Sequence, residues 1–359
     1  MENIQVQGAP SIYQCFEGVL QELPQKLTEQ KFKHAVIIHG EKSWNAAKGF
    51  LSNLSIPVTK INYNGECSHE EVERINTIIE QNNADVIIGV GGGKIVDIAK
   101  ANGNSLDIPV ILIPTLASNC APFTPLSVFY DQLGNYVEHI IFPKSTFMVL
   151  VEPKIIIDSP TSFFRAGIGD TIAKWYEADV LTRALPSKSI PLEVALHAAK
   201  LCRDVLIEKG PEAISSLEKK EISPAFMQVV ETIILAAGMV GGFGDKYGRI
   251  SGAHSIHNAI THVPKTHSYL HGEKVAYGIL VQLALENRPD EINYLLPHYK
   301  KLKLPISLSE LGIKQNVNVA IETISTNAVK PGESIHLMNV SKKEQVQEAI
   351  EFLENHINN

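Results

Sequence analysis

Residues 85–101, DVIIGVGGGKIVDIAKA, constrain the fold of this 359-residue chain more than any other stretch. The first half has the apolar run of a buried strand. Three consecutive glycines, Gly91 to Gly93, break it, and the apolar positions of the second half recur at helical spacing. Strand, glycine turn and helix in that order make the start of a βαβ unit. Glycines let backbone approach a phosphate closely, and a helix N-terminus offers unpaired N–H groups and a favourable dipole. The pattern is neither G-x-G-x-x-G nor a Walker A loop, so a tight turn without a ligand is the plain alternative. Asp97, one turn into the helix, either caps locally or accepts hydrogen bonds from a nicotinamide amide or ribose.

The surroundings extend this pattern. Apolar runs at 34–38 (HAVII), 58–63 and 110–113 (VILI) alternate with helical patterns at 43–54, 69–82 and 94–101. Such short continuous runs fit parallel strands covered on both faces. Residues 127–141 read as a hairpin with its turn at 131–135. The turn after 110–113, Pro114-Thr115-Leu116-Ala117-Ser118, carries hydroxyls. Polar turns after successive parallel strands lie at the sheet's carboxyl edge, where open α/β folds bind ligands. Past residue 158 long helical patterns take over, at 163–182, 191–207, 224–240, 252–260, 271–285, 290–299 and 343–356. The expected architecture is an α/β domain over 1–158 and an all-helical domain over 159–359.

Composition narrows the function. A formal net charge of −7 argues against nucleic acid as the main partner, which would favour a basic stripe. No membrane span is expected, because no run of about 18 apolar residues stands out. The N-terminus lacks a basic stretch followed by an apolar one, so no secretory signal is read. Cys15, Cys67, Cys120 and Cys202 are far apart in sequence and form no CxxC pair, which fits a reducing cytoplasm.

Five histidines crowd into one short stretch: His254, His257, His262, His267 and His271. His254 and His257 share a helical face at i,i+3. His271 opens a new helical pattern. Gly167-Ile168-Gly169-Asp170 reads as a helix start, where an aspartate commonly serves as N-cap. One aspartate and two histidines also make a three-ligand metal site with open positions for water or substrate. The chemistry of the residues does not choose which two histidines.

In order, GVGGGKIVDIAK, PTLAS, GIGDTIAKWYEA and AHSIHN followed by HGEKVAYG resemble the iron- or zinc-containing alcohol dehydrogenases, glycerol dehydrogenases above all, across most of the chain. The resemblance implies a dehydroquinate synthase-like fold, with an N-terminal dinucleotide-binding domain, a C-terminal helical domain and an active site in the cleft between them. It implies that Gly92, Gly93, Lys94 and Asp97 contact the cofactor, with Thr115 and Ser118 on a second cofactor turn. Thr124, Leu126 and Tyr130 match the nicotinamide-side contacts. Asp170, His254 and His271 match the metal ligands, and His257 and His267 become candidates for proton relay. Lys174 and Glu177, further along the helix of Asp170, read equally as ion-pair partners or active-site groups. Family members form dimers or octamers, so a homo-oligomer is expected.

Two departures bear on specificity. Where glycerol dehydrogenases carry an aspartate that helps bind the polyol, this chain has Cys120. A thiol removes the repulsion that a carboxylate would exert on an acidic substrate, although a free cysteine is also common as plain packing. After the strand HAVII, Gly40 stands where an aspartate would bind the ribose 2′-hydroxyl of NAD. Its absence makes room for a 2′-phosphate that Lys42 could pair with, which favours NADP over NAD; Glu41 is the counter-argument. The expected activity is metal-dependent, reversible hydride transfer between NAD(P)H and a small 2-oxo acid or 2-hydroxycarboxylate. Zn²⁺ is the first choice of metal and Fe²⁺ the second. The alternatives are an NAD-linked glycerol (polyol) dehydrogenase, a lyase on the same fold, and a catalytically silent nucleotide-binding protein.

Overall fold

The computed structural model describes residues 4–8, 10–132 and 134–358. They form two compact units. The first consists of Gln7–Pro160 and Ser216–Met239, the second of Thr161–Ser215 and Val240–Asn359 with residues 4–6.

In the first unit six strands make one parallel sheet: β1 (Ile12–Cys15), β2 (Ala35–His39), β3 (Val58–Asn62), β4 (Val86–Gly91), β5 (Val110–Pro114) and β8 (Met148–Val151). β6 (Leu126–Tyr130) and β7 (Tyr136–Ile141) form a separate antiparallel hairpin, and Leu133 in its turn lies outside the described residues. The strand order in the large sheet is β1-β8-β5-β4-β2-β3. The inner strands β4, β5 and β8 are buried along their whole length, as their unbroken apolar runs require. One face is closed by Leu20, Leu23 and Leu27, which pack with Ile37, Val86, Ile88 and Ile111.

The chain leaves β2 towards β3 on one side and leaves β4 towards β5 on the other, so β2 and β4 flank the topological switch point. Their carboxyl ends lie side by side, with His39 in register with Val90. The turns carrying Gly40 and Gly92 therefore emerge together, at the place where open α/β sheets receive a ligand.

The second unit is helical; among the described residues no strand follows Val151. Its helices include Thr161–Thr182, Gly252–Ile260, His271–Leu285, Pro289–Leu302, Val317–Ala328 and Lys343–Asn358. Helix Ile190–Lys219 runs twelve residues past the expected stop at Ile207, through Pro211. The pattern at 224–240, most of which belongs to the first unit, resolves into Pro224–Glu231, a π-turn at Thr232–Ala236 and Ala237–Gly244. By length and composition alone, Pro224–Tyr247 is apolar enough to cross a membrane. With 61% of its most apolar window buried in the fold, core packing accounts for that apolarity.

Candidate active site

In the second unit three helices approach at backbone distance, and glycines make this possible. A Cβ on Gly272 would lie 1.8 Å from the Ala166 carbonyl oxygen, so helix His271–Leu285 meets helix Thr161–Thr182 with no side chain between them. A Cβ on Gly278 would lie 2.3 Å from the Ala253 carbonyl oxygen, which brings helix Gly252–Ile260 equally close. Each of these three helices contributes one residue of the cluster: Asp170, His254 and His271.

Asp170 is not an N-cap. Its helix begins at Thr161, which puts Asp170 in the helix interior with its side chain buried. The His271 Nε2 lies 3.2 Å and the His254 Nε2 3.4 Å from the same Asp170 oxygen, Oδ1. One ligand atom from each of the three residues fits within 4.8 Å of the others. Two imidazole nitrogens facing one carboxylate oxygen either donate hydrogen bonds to it or share a cation with it. One carboxylate and two imidazoles suit a borderline divalent ion such as Zn²⁺ or Fe²⁺.

The partners behind the two imidazoles settle which nitrogen of each faces the centre. Glu177, two turns beyond Asp170, accepts a hydrogen bond from His254 Nδ1 at 2.8 Å. Its other oxygen accepts the backbone N–H groups of Ser251 (2.7 Å) and His254 (3.0 Å) at the start of helix Gly252–Ile260. Behind His271, its Nδ1 lies 3.0 Å from His257 Nε2, and His257 Nδ1 lies 3.0 Å from Asn258 Oδ1. Asn258 in turn donates from Nδ2 to Glu333 at 3.1 Å. Burial, with His271, His254 and Lys274 nearby, holds His257 well below the usual imidazole range, so it is neutral near pH 7. A neutral His257 that donates from Nδ1 to Asn258 accepts at Nε2 from His271. Both ligand rings thus turn Nε2 towards Asp170, with Nδ1 anchored behind, that of His254 by Glu177 and that of His271 by His257.

The charges follow the same pattern. Burial opposes ionisation of Asp170, yet the hydrogen bonds from His254 and His271 hold its carboxyl well below the usual range. Burial also opposes a charge on His254, but Glu177 and Asp170 outweigh it and push the imidazole up to about 9. The cation-free site therefore holds a proton at His254, which a divalent ion displaces on binding.

Two other expected residues of this unit make contacts to backbone carbonyls. His267 is exposed and places Nε2 3.0 Å from the Thr261 carbonyl, closing a local turn. Lys174 donates to the Arg249 carbonyl at 3.1 Å.

In the first unit Gly92 is the N-cap of helix Gly93–Leu106. A Cβ on Gly92 would lie 3.0 Å from Leu116 Cδ1, and one on Gly93 3.0 Å from Asn119 Nδ2, so the two polar turns pack against each other. Thr115 N–H donates to the Gly91 carbonyl at 3.1 Å, with the Thr115 side chain buried. Ser118 is half-buried one residue before Asn119. Gly40 N–H donates to Ser43 Oγ, which donates onward to the Val90 carbonyl at 2.8 Å and ties the turn after β2 to β4. Lys42 is exposed on the helix that follows. Lys94 pairs with Glu66 at 2.5 Å and lies over the Tyr130 ring at 5.2 Å. Leu126 and Tyr130 share the more open face of β6, while Ser127 and Phe129 face inward. The half-buried Cys120 closes the preceding turn, its carbonyl accepting from the N–H groups of Phe123 (2.9 Å) and Thr124 (3.2 Å).

Asp97 has a structural partner that sequence reasoning missed. It is buried and pairs with Lys100 at 2.9 Å, and it also accepts the Val128 N–H at 3.2 Å. The Lys100 ammonium donates further to the carbonyls of Ala121 (2.8 Å), Thr124 (3.1 Å) and Leu126. The pair staples helix Gly93–Leu106 to the segment expected to face nicotinamide. An i,i+3 Asp–Lys pair looks like ordinary surface charge in sequence; only the buried glycine-rich strand beside it hints that this helix has little surface.

Comparison with known proteins agrees with the fold. Residues 10–152 match the model of the iron-containing alcohol dehydrogenase family. Hydroxycarboxylate dehydrogenase A of Escherichia coli (strain K12) is 38% identical over 340 residues, 94% of each chain. A glycerol dehydrogenase of Pseudomonas putida is 36% identical over 80% of this chain and 79% of its own. The crystal structure of glycerol dehydrogenase from Schizosaccharomyces pombe superposes with a TM-score of 0.88 at 30% identity, covering 99% of this chain and 92% of that one. This chain belongs to the iron-containing alcohol dehydrogenase family and is an oxidoreductase, a dehydrogenase acting on hydroxyl groups.

Proposed function

We propose that the enzyme reduces small 2-oxo acids to 2-hydroxycarboxylates, reversibly, with NADPH preferred over NADH and Zn²⁺ as the resident metal. The observation that carries the metal-dependent part is the convergence of Asp170, His254 and His271 with both Nε2 atoms on one carboxylate oxygen. When bound, a divalent cation supplies Lewis-acid stabilisation of negative charge on the substrate oxygen. The nicotinamide supplies the hydride, so the chain's own work is placement and proton handling.

Asp170, His254 and His271 would hold the cation, which would supply Lewis-acid stabilisation to a substrate oxygen. The hydrogen-bonded line His271–His257–Asn258–Glu333 orients the His257 ring beside a ligating imidazole. His257 is therefore the favoured relay, ahead of His267, whose Nε2 is engaged with Thr261. Gly92, Gly93, Thr115 and Ser118 bind the cofactor phosphates and ribose, with Thr124, Leu126 and Tyr130 on the nicotinamide side. Gly40 leaves room for a 2′-phosphate and Lys42 pairs with it.

Cys120 in place of an aspartate favours an acidic substrate, and the match to hydroxycarboxylate dehydrogenase A over 94% of both chains supports the same class. None of the four cysteines is in a disulfide, which supports a cytoplasmic setting. The working form is a homo-oligomer, between dimer and octamer. Initial rates with 2-oxobutanoate and with glycerol, each with both cofactors and with Zn²⁺, Fe²⁺ and Mn²⁺, test the reading. The expected result is 2-oxo acid reduction, faster with NADPH. Robust glycerol oxidation with no 2-oxo acid reduction would replace it with the polyol reading.

A further inference from the structure

Resting on the metal-site reading above, we infer that Glu177 is the positioning residue that makes His254 a metal ligand. One buried carboxylate does two jobs at once. Oε2 takes the Nδ1–H of His254, and Oε1 takes the two backbone N–H groups of Ser251 and His254 that begin the ligand's own helix. Glu177 is almost wholly enclosed. An ionised carboxylate only accepts, so all three of its partners must donate. Nδ1 of His254 is thereby obliged to carry the hydrogen, and Nε2, facing Asp170, is the nitrogen whose lone pair a bound cation would use. Glu177 also fixes the ring's rotation, because the side chain and the backbone of one residue are tied to one carboxylate.

His271 has a different support. Its Nδ1 meets a neutral imidazole, His257, and about half of its side chain is exposed. The two imidazoles are therefore unequal: His254 is held from behind by a buried anion, and His271 by a neutral group nearer the surface. Charge behind a ligating imidazole raises its donor strength, and removing such a partner typically weakens metal binding by about 10–100-fold.

Glu177→Gln removes the constraint while keeping the shape. If the amide nitrogen faces His254, it donates to Nδ1, the hydrogen moves to Nε2 and the lone pair aimed at Asp170 is lost. If the amide oxygen faces His254, the amide nitrogen confronts the N–H groups of Ser251 and His254 and two helix-start hydrogen bonds are lost. Either orientation weakens the site.

The test is Zn²⁺ affinity of the full-length apo-protein, measured by competition with a chromophoric chelator, for wild type, Glu177→Gln, His254→Ala and the double variant. Far-ultraviolet circular dichroism monitors folding. Histidine nitrogen shifts in labelled protein read the His254 tautomer. The expected result is a dissociation constant raised about 10–100-fold in Glu177→Gln, with no further loss when the change is added to His254→Ala. A Glu177→Gln affinity equal to that of wild type would overturn the inference, as would an equal loss in the presence and absence of His254. If Glu177→Gln does not fold, the tautomer in wild type decides: hydrogen on Nε2 of His254 in the cation-free protein above pH 9 contradicts the inference, and hydrogen on Nδ1 supports it. Failure of wild type to bind Zn²⁺ would instead remove the metal-site reading on which the inference rests.

Discussion

At the scale of single residues, the cluster works because each polar group has a partner that dictates its state. Asp170→Asn keeps the volume of the side chain and deletes the anion that both Nε2 atoms face. Zn²⁺ affinity should fall by more than about 100-fold, beyond the effect of losing an outer partner, and metal-dependent turnover should fall with it; titration and initial rates check this. The cation-free protein should also show a distinctive pH dependence. The His254 imidazole is pushed up to about 9 from its ordinary 6.5, so its contribution to stability is complete below about pH 6.5 and disappears as pH rises through 9. Asp170 is held low, so its contribution is present above about pH 3.9 and is lost only in stronger acid. Thermal melts of stripped protein should therefore show a falling Tm from pH 6.5 to 9. The Zn²⁺-loaded protein should not, because the ion has replaced the proton. Much of this was hidden in the sequence. Five histidines within eighteen residues signal a site, but only resemblance to a family singled out His254 and His271. Glu177 was indistinguishable from a salt-bridge partner, because two turns along a helix say nothing about what stands opposite.

At the scale of elements, close helix contacts set the ligand positions. Gly272→Ala places a methyl group where the Ala166 carbonyl oxygen already lies, so the helices bearing Asp170 and His271 must separate. The expected loss exceeds about 3 kcal/mol, as in severe overpacking, together with lost Zn²⁺ binding. Gly49→Ala is the matched control, since nothing lies within 4 Å of the added methyl; its effect should stay within about 0.5 kcal/mol. Lys100→Met leaves Asp97 buried without its cation and leaves the carbonyls of Ala121, Thr124 and Leu126 without their shared donor. Chemical denaturation should record a loss of about 3–5 kcal/mol. The elements were legible where the pattern was long or sharply bounded: the helices Gly252–Ile260 and His271–Leu285 have the expected limits. β1 and β8 were not foreseen. β1 (IYQC) is a half-buried edge without an apolar run, and β8 (MVLV) is four residues long, too short to separate from a loop by periodicity. Helix Ile190–Lys219 continues past the expected stop at Ile207 and through Pro211, because a proline in a long packed helix forfeits one hydrogen bond while its neighbours keep the rest.

At the scale of the whole molecule, the alternation of β and α patterns followed by helix alone was enough to foresee a parallel sheet followed by a helical unit. It could not foresee that Ser216–Met239 packs with the first unit, because helical periodicity reports that one face is buried and not which neighbour buries it. The family, too, was legible from four ordered motifs. If, as proposed, Cys120 favours an acidic substrate, Cys120→Asp should lower kcat/KM for 2-oxobutanoate by at least about 10-fold, with a smaller effect on glycerol, as a new carboxylate repels the acid. Steady-state kinetics with both substrates checks this. The whole account depends on the metal centre, and X-ray absorption at the zinc edge of stoichiometrically loaded enzyme tests it most directly. The account predicts one ion per chain, with two imidazole nitrogens at about 2.0–2.1 Å, a carboxylate oxygen in the same shell and no sulfur. A sulfur shell near 2.3 Å, or binding well below one ion per chain, would contradict it.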